Sequence, residues 1–197
     1  MTLDPTREAL RVSWLSILIG TASGAASTVL GISAGSLALL GSGATVLVDV
    51  SSSVVLVWRF RVGHRHPRAE RWAHTAASCA LLALAVVLAA TSVHRLVSGG
   101  TSDPSAGSVA VAGVALVLLP GLARVKYRAA ARVGSGALRT DAHITSVGAA
   151  TAFLSLAGLV ASSVGVGAAD AVAALLVSGV AGVTGAVELR NAPGSQS

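Results

Sequence analysis

Apolar residues in this chain are gathered into six stretches, divided by short polar or basic connections. Each is close to the ~20 residues that a helix needs to cross a hydrocarbon core of about 30 Å. Lipid offers the backbone no hydrogen-bond partners, so such segments must satisfy their own N–H and C=O groups, here as helices. The alternating pattern of an outer-membrane barrel is missing. Only 11% of the residues are charged, against roughly 25% in a soluble domain, and the mean hydropathy is +0.78. The sequence therefore predicts an all-α membrane protein, a bundle of six transmembrane helices.

The expected spans are about 12–32, 36–58, 72–93, 107–122, 142–164 and 169–187, with an N-terminal stretch 1–11 and a flexible tail 188–197. A signal peptide over the first span is set aside, because apolar character continues through Ile32 beyond the small residues 21–25. No soluble domain is expected after the sixth span. Gly20/Gly24 and Gly31/Gly35 have the small-xxx-small spacing that lets helices approach closely in lipid. Asp103-Pro104 is the expected start signal of the fourth helix, and Pro120-Gly121 is expected to weaken its last turn.

The formal charge is +6, but the cations are too localised to suggest nucleic acid. Arg59, Arg61, Arg65, Arg68 and Arg71 fall in one expected connection, and Arg124, Lys126, Arg128, Arg132 and Arg139 in another. Such clusters beside spans are topology signals and anchors for anionic lipid. Both lie on one side of an even number of spans, which places the N and C termini in the cytoplasm and the chain in the cell membrane. Abundant Ala, Val, Gly and Arg with a single lysine is the usage of GC-rich coding and fits a bacterium. Cys79 excludes an internal disulfide, being alone, and is expected in a helix interface as a small hydrophobe.

An ionised residue at bilayer depth costs ~2.5–3.5 kcal/mol on insertion scales and needs a reason to be there. Asp49 is such a residue. On a helix, Ser42, Thr45, Asp49, Ser52 and Ser53 fall within about 100° of arc, a polar stripe on an otherwise apolar span. It reads first as a cation or proton pathway; the alternative is a protonated Asp with hydroxyl glue between helices. Asp141 opens the fifth span, where capping by Thr140 or Asp141 and a functional role weigh equally. Thr145, Gly148, Ala152 and Ser155 continue its face, while His143 points about 160° away and suits an interfacial position. Asp170 is expected to cap the sixth helix. His74 reads as interfacial, and His64 and His66 as parts of a solvated basic loop. No nucleophile and base come together as an enzyme would require, no phosphate-binding loop is present, and no Cys/His run has zinc-site spacing.

Ser36-Leu37-Ala38-Leu39-Leu40 with Asp49 and Ser52-Ser53, Leu138-Arg139-Thr140-Asp141-Ala142, and Ala169-Asp170-Ala171 resemble spans two, five and six of the cation diffusion facilitators. The run Leu119-Pro120-Gly121-Leu122-Ala123-Arg124-Val125-Lys126, leading to Ser135, is similar to the short, membrane-domain-only branch of that superfamily. The resemblance implies efflux of zinc or another divalent cation against protons, by a homodimer, with no tightly bound cofactor beyond the cation itself. It also implies ligand pairs on spans two and five. These fall on Thr45 and Asp49, and on Ile144 and Gly148, neither of which can bind a metal; a one-residue slip gives His143 and Val147. The expected site is therefore Asp49 and Thr45, with Asp141 and His143 as possible contributors. One carboxylate with hydroxyls suits a harder cation than zinc. A second expectation follows from the missing ligands: a relative that no longer transports and serves as a membrane interaction or regulatory subunit.

Overall fold

The computed structural model describes residues 5–62 and 67–190, all of them in helices and short turns. The helices are α1 (Pro5–Ser33), α2 (Leu37–Val62), α3 (Pro67–Ser98), α4 (Ala106–Val133), α5 (Gly136–Ser163) and α6 (Ala169–Arg190). Each carries a stretch long and apolar enough to cross a membrane. Leu18, Val86, Val117, Phe153 and Val183 stand exposed on the outside of the bundle. So wide an apolar surface would be an aggregation liability in water and is ordinary against lipid.

Three helix pairs build the bundle: α1 with α2, α4 with α5, and α3 with α6. Helix α2 also packs on α3, α5 and α6, so its polar stripe is enclosed by protein. The α1–α2 pair is made close by glycine. A Cβ on Gly43 would lie 2.6 Å from Thr28 Oγ1 and 2.7 Å from the Thr28 nitrogen, and one on Gly31 would lie 2.6 Å from the Leu40 nitrogen. Gly20 and Gly24 approach Val50 and Leu47 in the same interface. Gly35, expected as a packing position, instead makes the turn between the two helices at φ 59°.

The helices outrun the expected spans, most of all the fourth. Pro120 removes one N–H but does not end α4, which continues to Val133 and closes on Gly134 in the left-handed conformation (φ 66°). The helix starts not at Asp103-Pro104 but at the Ser105 cap, whose side chain accepts from the Ser108 N–H. Asp103 serves the connection differently, its N–H donating to the Ala34 carbonyl at 2.9 Å. Helix α5 begins six residues before the expected 142, capped by Ser135. The second basic connection is thus not a loop: Arg124, Lys126, Arg128 and Arg132 belong to the last turns of α4, and Arg139 to the first of α5.

Asp170 does not cap its own helix. It accepts from the Leu37 N–H at 2.9 Å and from Ser36 Oγ at 2.5 Å, and so caps α2 from across the bundle. Arg95, on the last turn of α3, donates to the same carboxylate at 3.2 Å and to the Gly35 carbonyl. Cys79 is exposed, not in an interface. The α3 face that meets α6 is Ser78, Leu81 and Ala85, which Cys79 adjoins but does not share. His64 and His66 lie outside the described residues, and so do the side chains of 59–74, His74 among them.

Gly43→Leu is expected to destabilise the α1–α2 hairpin by about 1–3 kcal/mol, the cost of overpacking a tight interface. Thermal unfolding in detergent measures it, with Gly179→Leu, which meets open space, as the tolerated control.

Candidate cation site

The stripe on α2 faces α5. Ser42 Oγ lies 3.3 Å from Thr151 Oγ1, and Ser155 on α5 donates to the Ala38 carbonyl at 2.7 Å. Towards the C-terminal half of α2 the contacts become ionic. Asp49 Oδ2 accepts from Thr145 Oγ1 at 2.9 Å. Asp141 Oδ1 accepts from Ser52 Oγ at 2.7 Å and from Ser53 Oγ at 3.0 Å. The carboxylate of α2 therefore meets a hydroxyl of α5, and the carboxylate of α5 meets hydroxyls of α2. Asp141 is free to do this because Ser135 has already capped the helix, leaving it in the second turn.

Between the two acids lies Lys126. Its side chain is fully buried, with Nζ 2.7 Å from Asp141 Oδ2 and 3.7 Å from Asp49 Oδ1. It donates to Thr145 Oγ1 at 2.6 Å and to Ser53 Oγ at 3.2 Å. An ammonium has three N–H groups, and three close oxygens receive them, with the Asp49 oxygen as a fourth neighbour. Arg124, Arg128, Arg132 and Arg139 around it all face outward. Lys126 alone turns in, because it continues the buried face of Leu119, Leu122 and Ala123 towards Ala129 and Ala130. Helix α1 completes the wall: Ser16 Oγ is 3.1 Å from Ser53 Oγ.

The structure thus brings Asp49 and Asp141 together and adds Lys126, Thr145, Ser52 and Ser53. Thr45 is buried one turn from Asp49, but its hydroxyl turns back to the Gly41 carbonyl at 2.9 Å. His143 lies exposed on the opposite side of α5, away from the acids. Ile144 is buried, and Gly148 packs near Val46 and Leu119. Among the described residues, no three of His, Cys, Asp and Glu converge on one point. What converges is an all-oxygen set, two carboxylates and three hydroxyls, around one cationic nitrogen. Such a set suits hard cations, since zinc favours nitrogen and sulfur donors.

This arrangement defines a multi-pass membrane protein with a buried lysine ammonium enclosed between two carboxylates of neighbouring helices. Residues 13–192 match the cation efflux transmembrane domain, and the chain belongs to that family, the cation diffusion facilitators of the sequence resemblance. No curated protein matches the sequence. Membership makes the chain a cation transporter in general terms.

Removing one partner of a buried ion pair leaves an uncompensated charge and costs about 3–5 kcal/mol. Lys126→Met is expected to lose stability on that scale in chemical unfolding of the detergent-solubilised protein. Adding Asp141→Asn to Lys126→Met is expected to recover part of the loss, because one of the two stranded carboxylates is gone.

Proposed function

We propose that the chain exports a hard divalent cation across the cell membrane in exchange for protons. The cation sits between Asp49 and Asp141, with Thr145, Ser52 and Ser53 as neutral oxygen donors. The observation that carries the reading is that two acidic side chains from different spans point at one enclosed position that already holds a positive charge. Oxygen ligands favour manganese or magnesium over the zinc that the family resemblance suggests. Protons and metal compete for the same carboxylate oxygens, so each expels the other, which is the physical basis of exchange.

The membrane orientation supports export: the arginines of α4 and α5 near the site mark a cytoplasmic side, with both termini on that side. A homodimer is the expected assembly. Thr45 and His143 have no part in this reading, Thr45 because its hydroxyl is committed to its own helix and His143 because it faces away.

A second reading has its own support. The cation position is filled by a tethered ammonium, and the span-five positions that the family resemblance assigns to ligands hold Ile144 and Gly148. A chain whose site is permanently closed by its own lysine would serve as a membrane subunit without transport.

Flux in proteoliposomes separates the two. With manganese, magnesium, zinc, cobalt and iron supplied under a pH gradient, wild-type protein is expected to move at least one of them. Asp49→Ala is expected to abolish that flux. Flux that persists in Asp49→Ala removes the acid from the mechanism, and absence of flux for every ion favours the non-transporting subunit.

A further inference from the structure

The proposed site is a pair of acids with hydroxyls; Lys126 belongs to neither the ligand set nor the spans expected from the sequence. We propose that Lys126 is a tethered competitor for the cation, occupying its position in the empty state and leaving it when a divalent ion binds. The inference rests on the transport reading of the Asp49–Asp141 site.

Three observations support it. Nζ lies within 3.2 Å of Asp141 Oδ2, Thr145 Oγ1 and Ser53 Oγ, and within 3.7 Å of Asp49 Oδ1. These are the same oxygens that a bound ion would need. An ion that takes them at metal–oxygen distances, about 2.0–2.6 Å, would stand within van der Waals contact of the ammonium. The two positive charges cannot share that volume, so binding and lysine occupancy are mutually exclusive. The second observation is reach. Lysine is a compact charge on a flexible four-carbon stem, and Lys126 lies only two turns from the end of α4 at Val133. Displacing the ammonium from the oxygens therefore takes rotation of the stem about its own bonds, over a distance of a few ångströms, towards the end of α4 that carries the arginines. The third is charge. With both acids ionised the site carries −2, which the ammonium reduces to −1 and a divalent ion in its place cancels.

Selectivity follows from the competition. A monovalent ion offers the oxygens no more charge than the ammonium it must expel, and unlike the ammonium it pays the entropy of capture from solution. A divalent ion offers twice the charge. Lys126 thus acts as an internal reference that sodium and potassium fail to outcompete. The apparent affinity for any ion is reduced by the fraction of time the lysine is away. If that fraction is about one in ten or less, removing the lysine tightens binding by about tenfold or more.

The test measures binding of manganese, magnesium and zinc chlorides to the purified full chain by titration calorimetry, for wild type, Lys126→Met and Asp49→Asn. Lys126→Met is expected to bind the preferred ion about tenfold or more tightly than wild type, and to let sodium compete, which wild type is expected not to do. Because Lys126→Met loses stability, a measurement on wild type stands beside it. Lys126 is the one lysine of the sequence, so protein grown with 15Nζ-lysine gives one side-chain amine signal. Saturation with magnesium or zinc is expected to move that signal towards that of a solvated lysine. Binding that needs Asp49 but is no tighter in Lys126→Met, or that leaves the amine signal in place, overturns the competitor and leaves the transport reading standing. Binding by Lys126→Met alone overturns the exchange, since no ion then expels the lysine of the wild type, and points to the closed, non-transporting chain. No binding by either protein overturns both the competitor and the transport reading.

Discussion

Everything at the centre of this bundle depends on charge compensation where water is scarce. Asp49 and Asp141 are buried on facing helices, and neither could remain ionised there without an opposite charge close by. Lys126 supplies it, and the hydroxyls of Ser52, Ser53 and Thr145 take up remaining lone pairs and protons. The three charged groups come from α2, α4 and α5, so the ion cluster is also what fixes the mutual position of these helices at one end. Apolar packing could not do this alone, because side chains there are as content in lipid as against one another.

At the other end the fixing is of a different kind. Asp170 caps α2 from α6 while Arg95 ties α3 to both. Between the two ends the helices meet through glycine and hydroxyl contacts, among them the close approaches of Gly43 to Thr28 and of Gly31 to Leu40 on α1 and α2. Helix α2 is therefore held at its start by a carboxylate, along its length by small residues, and from its middle into its C-terminal half by the ion cluster.

Much of this could be read before the structure. Length and hydropathy alone set six helices, because the bilayer leaves a spanning backbone so few options. The polar stripe of α2 was legible from helical period, and so was the face shared by Asp141, Thr145 and Ser155. Lys126 was not. Arginines surround it in sequence, and Pro120-Gly121 suggested that the fourth span ended before it. The signal that could have exposed it was the apolar period itself, which runs from Leu119 through Leu122 and Ala123 to Ala129 and Ala130 and places position 126 on the buried face. The role of Asp170 was hidden for another reason: a cap given to a different helix leaves no mark in local sequence. His143 entered through a one-residue slip of the span-five ligand register, but two positions from Asp141 on a helix it points about 160° away.

The hairpin of α4 and α5 turns through Gly134 and Ser135 and carries both Lys126 and Asp141 on its inner faces, their charged atoms 2.7 Å apart. This has a consequence for how the protein is made. An isolated lysine or aspartate entering hydrocarbon costs ~2.5–3.5 kcal/mol, and two on separate helices would each bear that cost until the bundle closed. Placed opposite one another on a single hairpin, they neutralise each other as the pair of helices leaves the translocation machinery together. Only Asp49, inserted earlier with α1 and α2, has to wait for a cation from elsewhere in the chain.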